Sequence, residues 1–384
     1  MAKKNVVVLG ATGSIGRGAA DVLSANSDRF SVYAVAAKNN IDELVRQNDL
    51  LKPEVIITAA EEKYPELRKN IPAETVVQAG MQAMVDVVQQ KEVDIVLCSI
   101  VGTAGILPVL AALKAGKRVA LASKEVLVLA GELVMQAAAD SSGGELIPVD
   151  SEHSGVFQAI AGRRRDEIAK IWLTASGGPF RNWSAEKIAN ATVAEALAHP
   201  TWNMGRKITI DSASMMNKAL ELVEARYLFQ VAPEKLAVVI HPQSIVHSMV
   251  EMTDGALIAQ LAPPDMRFAI QYALTYPERC NGNLPKLDWA KLAPLTFEEP
   301  DHRKFPSLDF AEEALRTGGT LPTVMNAANE VAVEKFKHGE IAFPEIWSIV
   351  EKTMDAHDVR TQQDFAEIEA AAREAREFAA RLRG

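Results

Sequence analysis

"VVVLGATGSIGRGAADVL" occupies residues 6–23. Val6 to Leu9 read as a buried strand that runs directly into Gly10, Gly13 and Gly16, and a helix pattern follows. The spacing is GxxGxxG, which departs from GxGxxG. The physics survives the change: small residues let the turn and the helix N-terminus come close to a pyrophosphate, and free backbone N–H groups face it. Thr12 and Ser14 add hydroxyl donors. A tight strand-to-helix turn with no ligand has the same glycines, but the position after the first strand of a βαβ unit favours a nucleotide.

Outward from this stretch, residues 1–149 alternate short β-branched runs with helical ones. Strands are expected at Val6–Leu9, Ser31–Ala36, Val55–Thr58, Thr75–Gln78, Asp94–Ser99, Arg118–Ala122 and Glu145–Val149. That alternation predicts an α/β fold with an N-terminal Rossmann-like domain built on a doubly wound parallel sheet. From 150 to 280 the texture becomes α+β. Ile168–Thr174 and "KITID" at 207–211 read as strands, "SMMNKALELVEARYLF" at 214–229 as a helix, and Asp254-Gly255 as a hairpin turn. Residues 281–306 are proline-rich and aperiodic, a linker, and 307–384 reads as a C-terminal α-helical domain.

The chain has 384 residues and a formal net charge of −9, which argues against nucleic acid as the main partner. Its two cysteines, Cys98 and Cys280, belong to no metal or disulfide pattern, so a reducing, cytoplasmic setting is expected. The greasiest region, "VALASKEVLVLAGELVMQAAA", is broken by Lys124, Glu125 and Glu132, so no membrane span is expected.

The end of the second strand bears on the choice of nucleotide. NAD enzymes usually place an acid there to bind the ribose 2′-hydroxyl. Here Ala37 is followed by Lys38 and Asn39, with no acid, which suits a 2′-phosphate and predicts NADP(H). At 148–155, "PVDSEHSG" ends another core strand. In an extended segment Asp150 and Glu152 project the same way, and paired carboxylates favour a hard divalent cation. His153 is then a proton donor or a supporting group; equally, Ser151 or Glu152 caps the next helix. In "DSASMMNKALELVEA", Ser212 and Ser214 precede a helix on which Asn217, Lys218 and Glu221 fall together, a phosphate site with a third carboxylate one turn deeper. Asp211 reads as a helix cap. Ser176 precedes Gly177-Gly178-Pro179, and His199 and Trp202 lie in a loop suited to a lid. Lys124 and Glu125 follow a core strand on the cofactor's edge of the sheet. These residues point to an NADP-dependent enzyme whose substrate carries a phosphate and metal-chelating oxygens.

"GATGSIG", "ASKE", "DSEHS", "SGGPFR", "HPTWNMGRKITIDSASMMNKALELVEA", "HPQSIVHSMVE" and "NAANEVAV" occur in order along the chain. Together they closely resemble the 1-deoxy-D-xylulose 5-phosphate reductoisomerase family. The resemblance implies a homodimer that uses NADPH and Mg²⁺, Mn²⁺ or Co²⁺ to rearrange a ketose phosphate and reduce the branched aldehyde, giving 2-C-methyl-D-erythritol 4-phosphate in the non-mevalonate isoprenoid pathway. It implies Asp150, Glu152 and Glu221 as metal ligands. Ser151, Lys124, Ser176, His199, Ser212, Asn217 and Lys218 would hold substrate, with Trp202 and Met204 on a closing flap. Gly10, Thr12, Gly13, Ser14, Ile15, Gly16, Ala37, Lys38, Asn39, Glu125 and Gly205 would line the NADPH site. Family members often carry Asn where this chain has Ser123, which leaves a backbone contact at that position, and proline where it has Ala269. Two rivals stand beside this reading: a metal-dependent hydroxy-acid dehydrogenase, which needs no phosphate pocket, and an NADP-sensing protein, which needs no carboxylate cluster.

Overall fold

The computed structural model describes residues 3–202, 204–292, 294–362 and 364–382. It opens β1 (Lys4–Leu9), α1 (Ser14–Ala25), β2 (Phe30–Ala37), α2 (Ile41–Leu51), β3 (Val55–Thr58), α3 (Tyr64–Asn70), β4 (Val76–Ala79), α4 (Met81–Val87), β5 (Ile95–Cys98), α5 (Ile106–Lys114), β6 (Arg118–Leu121), α6 (Lys124–Asp140), β7 (Glu145–Pro148) and α7 (Ser151–Ala159). All seven strands expected from the β-branched runs are present within one or two residues. They form one sheet in the order β4-β3-β2-β1-β5-β6-β7, every neighbour parallel. Val6, Val7, Val8 and Leu9 are fully buried, as a central parallel strand covered on both faces must be. The strand order reverses at β1, so the crevice beyond the carboxyl ends of β1 and β5 is the switch point where such sheets bind ligands.

The chain continues β8 (Ile168–Ala175), α8 (Ala185–Ala189), α9 (Val193–Ala196), α10 (Arg206–Ala213), α11 (Met216–Phe229), β9 (Leu236–Ile240), β10 (Val246–Met252), β11 (Leu257–Leu261) and α12 (Arg267–Thr275). The second sheet has the order β11-β10-β8-β9, with β8 parallel to β9 and the other pairs antiparallel. The β10–β11 hairpin turns at Asp254-Gly255 as expected, Gly255 taking φ +86°. Then come α13 (Ser307–Thr317), α14 (Leu321–Lys337), α15 (Glu345–Asp355) and α16 (Phe365–Arg381), the expected helical region.

"KITID" is not a strand; it lies within α10. Five residues are too short a window to separate period 2 from period 3.6, and here the Thr209 N–H bonds back to the Gly205 carbonyl while Lys207 pairs with Asp211 at i,i+4. Asp211 is consequently no cap, since it sits late in that helix. Among its described residues the 281–306 stretch carries one 3₁₀ turn and a single bridge, Glu298 to Ile240.

By contacts the chain forms two units. One is residues 1–126, 134–154 and 265–285; the other is 127–133, 155–264 and 286–384. Thus α12 belongs with the first unit, where it packs on α1, β6 and β7. In the second, α14 is the hub, touching α10, α11, α13, α15 and α16. Among the described residues no helix is long and apolar enough to cross a membrane.

Candidate active site

The glycine loop of the first unit has a separate reason for each glycine. Gly10 has φ +87°, and a Cβ there would lie 2.6 Å from Ser99 Oγ. A Cβ on Gly16 would lie 2.3 Å from the Ala11 carbonyl oxygen, so Gly16 closes helix onto loop. Gly13 is different: it is exposed, it N-caps α1, and its Cβ would meet only the Gly10 oxygen at 3.4 Å. The N-terminus of α1 receives no side-chain cap, which leaves its N–H groups to an outside acceptor. Thr12, Ser14 and Ile15 ring this turn, with Ser14 exposed. Beyond β2, Ala37 is buried, whereas Lys38 and Asn39 are exposed. The Thr58 hydroxyl donates to the Lys38 carbonyl at 2.7 Å, fixing the backbone from which that lysine extends. Sequence reasoning missed Gln47, fully buried on α2, whose Nε2 donates to the Ala11 carbonyl at 3.0 Å. Its 36-residue separation from the loop leaves no local signal.

At the end of β7, Asp150 does not lie in an extended segment with Glu152, as the i,i+2 argument supposed. Helix α7 starts at Ser151, and the Ser154 N–H bonds to the Asp150 carbonyl at 2.8 Å. Glu152 occupies the first turn, where its charge suits the helix dipole, and accepts from the Ser151 hydroxyl at 2.5 Å. Lys124, at the start of α6, is buried and its Nζ reaches Asp150 Oδ2 at 2.6 Å. Burial opposes ionisation of Asp150, but the Lys124 ammonium and then His153 outweigh it and hold the carboxyl well below its usual range. His153 is itself fully buried. The Ser123 hydroxyl turns inward to the Ile100 carbonyl at 2.5 Å, with the Glu125 carboxylate 3.2 Å away. Ser123 and Glu125 are both buried.

In the second unit His199 is the centre of a fork. Its Nε2 lies 3.0 Å from Ser176 Oγ and 3.1 Å from Ser212 Oγ. Its Nδ1 accepts the backbone N–H groups of Trp202 at 2.9 Å and Thr201 at 3.2 Å. An atom accepting N–H bonds carries no proton, so the neutral ring holds its hydrogen on Nε2 and donates it between the two serines. Burial disfavours the charged form and pushes the ring down to about 4. Gly178, at φ +65°, is obligatory because a Cβ would lie 2.5 Å from the Ser212 carbonyl. Ser212 lies in the last turn of α10, not at the start of the next helix, and Met215, at φ 63°, turns the chain into α11. In the first turns of α11, Asn217 Nδ2 donates to Glu221 Oε1 at 2.5 Å, and Lys218 bonds to Glu221 Oε2 and to the Thr174 carbonyl. Lys218 and Glu221 are both buried. The Trp202 ring lies 6.3 Å from the His247 ring, Met204 is half-buried, and Gly205 is the exposed N-cap of α10.

Three family models match this chain. A 1-deoxy-D-xylulose 5-phosphate reductoisomerase model covers residues 6–131, the C-terminal domain model of the same enzyme covers 146–229, and a further DXP reductoisomerase C-terminal domain covers 261–378. The reductoisomerase of Chlorobium chlorochromatii is 49% identical over 361 residues, 94% of each chain. The chain belongs to the 1-deoxy-D-xylulose 5-phosphate reductoisomerase family. The Geotalea uraniireducens reductoisomerase is 49% identical over 92% of each chain. Among solved structures, the Zymomonas mobilis reductoisomerase in complex with NADPH is 42% identical, with a TM-score of 0.93 over 99% of this chain and 98% of that one. A reductoisomerase solved with NADPH, fosmidomycin and magnesium is 37% identical, with a TM-score of 0.93 over 98% and 97%.

Proposed function

We propose that this protein is an NADPH- and divalent-metal-dependent reductoisomerase that converts 1-deoxy-D-xylulose 5-phosphate to 2-C-methyl-D-erythritol 4-phosphate in isoprenoid synthesis. The observation that carries this reading is the buried Lys124–Asp150 pair beside Glu152 at the end of a parallel strand, a carboxylate kept ionised in a site of hard oxygen donors. Both bound groups fit. For NADPH, the uncapped α1 terminus, the open Gly13 and the exposed Lys38 offer donors to the pyrophosphate and a cation to the 2′-phosphate. For the metal, Asp150, Glu152 and Glu221 supply carboxylates, the ligand type that Mg²⁺, Mn²⁺ and Co²⁺ accept. When bound, NADPH supplies hydride and the metal draws electron density from the substrate's oxygens.

The chain's own groups do the rest. His199 presents its Nε2–H with Ser176 and Ser212 toward the substrate phosphate, and Asn217 and Lys218 add an amide and an ammonium. Lys124 holds Asp150 charged and lies against the substrate with Ser151, while His153 supports Asp150 from inside the fold. Trp202 and Met204 close over the bound ketose and exclude water from the branched aldehyde before it is reduced. Thr12, Ser14, Ile15, Ala37, Asn39, Glu125, Gly205 and the Ser123 backbone complete the cofactor site. We assign cofactor binding to residues 1–149, catalysis and homodimer formation to 150–280, and a supporting role to 307–384. The cysteine pattern fits a cytoplasmic enzyme, and the substrate is a small sugar phosphate, not nucleic acid.

Incubation with 1-deoxy-D-xylulose 5-phosphate, NADPH and Mg²⁺, followed by NMR and mass analysis, tests this. The expected product is 2-C-methyl-D-erythritol 4-phosphate, with NADH a poor replacement. Unchanged ketose phosphate would overturn the proposal, and turnover of a 2-hydroxy acid instead would favour a dehydrogenase.

A further inference from the structure

The corner between α10 and α11 carries Ser212 two residues before it and Asn217 and Lys218 just after it. Three side chains from the C-terminal helices grip this corner. The Ser307 hydroxyl donates to the Ser214 carbonyl at 2.8 Å, and Trp347 Nε1 lies 2.9 Å from Ser307 Oγ and 3.2 Å from the same carbonyl. Asn329 on α14 donates from Nδ2 to Asp211 Oδ1 at 2.8 Å. Lys207 holds the other oxygen, Oδ2, at 2.8 Å.

Asp211 and Asn329 are both buried, the first 1% and the second 0% exposed. Asn329 Oδ1 finds no hydrogen-bond partner among the described residues. That is an expensive arrangement for packing alone: a buried amide oxygen left unpaired keeps its full desolvation penalty, and an apolar residue of similar size would avoid it. What the amide supplies and an apolar residue does not is direction. Its N–H ties one oxygen of Asp211 to α14, and that link resists rotation of α10 about its axis; Lys207, on α10 itself, orients the carboxylate through the other oxygen. Ser212 is the next residue, so the same rotation sets the distance of its Oγ from His199 Nε2.

We infer that Asp211 and Asn329 are positioning residues that hold α10 so that Ser212 and His199 meet the substrate phosphate. They act through Ser212 and touch no substrate themselves. The inference rests on the phosphate reading of the His199 fork.

The variants are Asn329→Leu, which keeps volume and removes the donor, Asp211→Asn, and the pair combined. Steady-state kinetics with 1-deoxy-D-xylulose 5-phosphate are read beside inhibition by inorganic phosphate, NADPH affinity by fluorescence and the thermal midpoint. The expected result is a rise of about tenfold in KM and in the phosphate inhibition constant, about the loss of one hydrogen bond to a charged group. The kcat and NADPH affinity stay within about twofold, and the double variant costs less than the product of the singles. Unchanged KM and phosphate inhibition in a folded variant would overturn the inference. So would a uniform fall in kcat, NADPH affinity and thermal midpoint, the pattern of a purely structural role. If the leucine variant does not fold, Asn329→Ser is read by the same ratio. A wild-type protein that ignores the ketose phosphate counts against the proposed function instead, and phosphate binding by calorimetry then still tests the clamp.

Discussion

His199 commits its two ring nitrogens in opposite directions, one to the backbone of its own loop and one to two hydroxyls. The first task needs a neutral ring, because a protonated Nδ1 cannot accept the Trp202 and Thr201 N–H groups. The folded value near 4 lies below the ordinary 6.5, so the unfolded chain binds the proton more tightly. Stability from this site is therefore intact above about pH 6.5, falls as pH drops through the window, and is fully lost below about 4. An NMR titration of the ring is expected to show a midpoint near 4; a midpoint at or above 6.5 would contradict the geometry. The glycine loop gives a second prediction. Gly13→Ala is expected to fold normally and lose at least about tenfold in NADPH affinity, because its Cβ meets only an ordinary 3.4 Å neighbour yet faces the place of close approach. Gly16→Ala, with its Cβ at 2.3 Å from backbone, is expected to lower the thermal midpoint sharply. Fluorescence titration and thermal denaturation check the pair. At this scale the contacts of Asn217 and Lys218 with Glu221 were legible, because their i,i+4 and i,i+3 spacing lies on a helix with a long pattern. Those of Gln47 and Asn329, whose partners lie 36 and 118 residues away, were illegible.

Elements were legible where apolar periodicity ran long enough. The seven parallel strands, the β10–β11 hairpin and the C-terminal helices follow from pattern, because burial on both faces or one face leaves a distinct trace. Helix α10 did not, since its five-residue alternation mimics a strand and its cap is a bare glycine. Nor does the sequence reveal the break in α6, where Ala130 leaves helical geometry at φ −131°. The next residue, Gly131, lies so close to the Tyr227 ring that a Cβ would fall 2.3–2.5 Å from it. Gly131→Ala is expected to cost ~1–3 kcal/mol by overpacking, despite the better helix propensity of alanine. Urea denaturation checks the sign: a stabilised variant would mean that Tyr227 moves freely.

At the scale of the whole molecule, the first unit is assembled from three stretches of chain, and α12 returns to it after the second sheet is complete. A reading that divides the chain where texture changes has no access to such a return, because burying α12 on α1, β6 and β7 is a long-range choice. The first unit is also where NADPH is proposed to act on stability. At 100 times its dissociation constant NADPH is expected to add ~2.7 kcal/mol, with NADH at the same concentration giving a smaller upward shift in calorimetry. Equal shifts would remove the role given to Lys38. A divalent metal held by the Asp150 and Glu152 carboxylates is proposed to make the chemistry possible. This is tested most directly by following NADPH absorbance with 1-deoxy-D-xylulose 5-phosphate and Mg²⁺, adding EDTA, restoring Mg²⁺, and repeating with Asp150→Asn after a check that the variant is folded. Oxidation is expected to stop with EDTA, to resume with metal, and to fall by roughly 100-fold or more in the variant. Undiminished turnover in EDTA, or in folded Asp150→Asn, would contradict the metal's role.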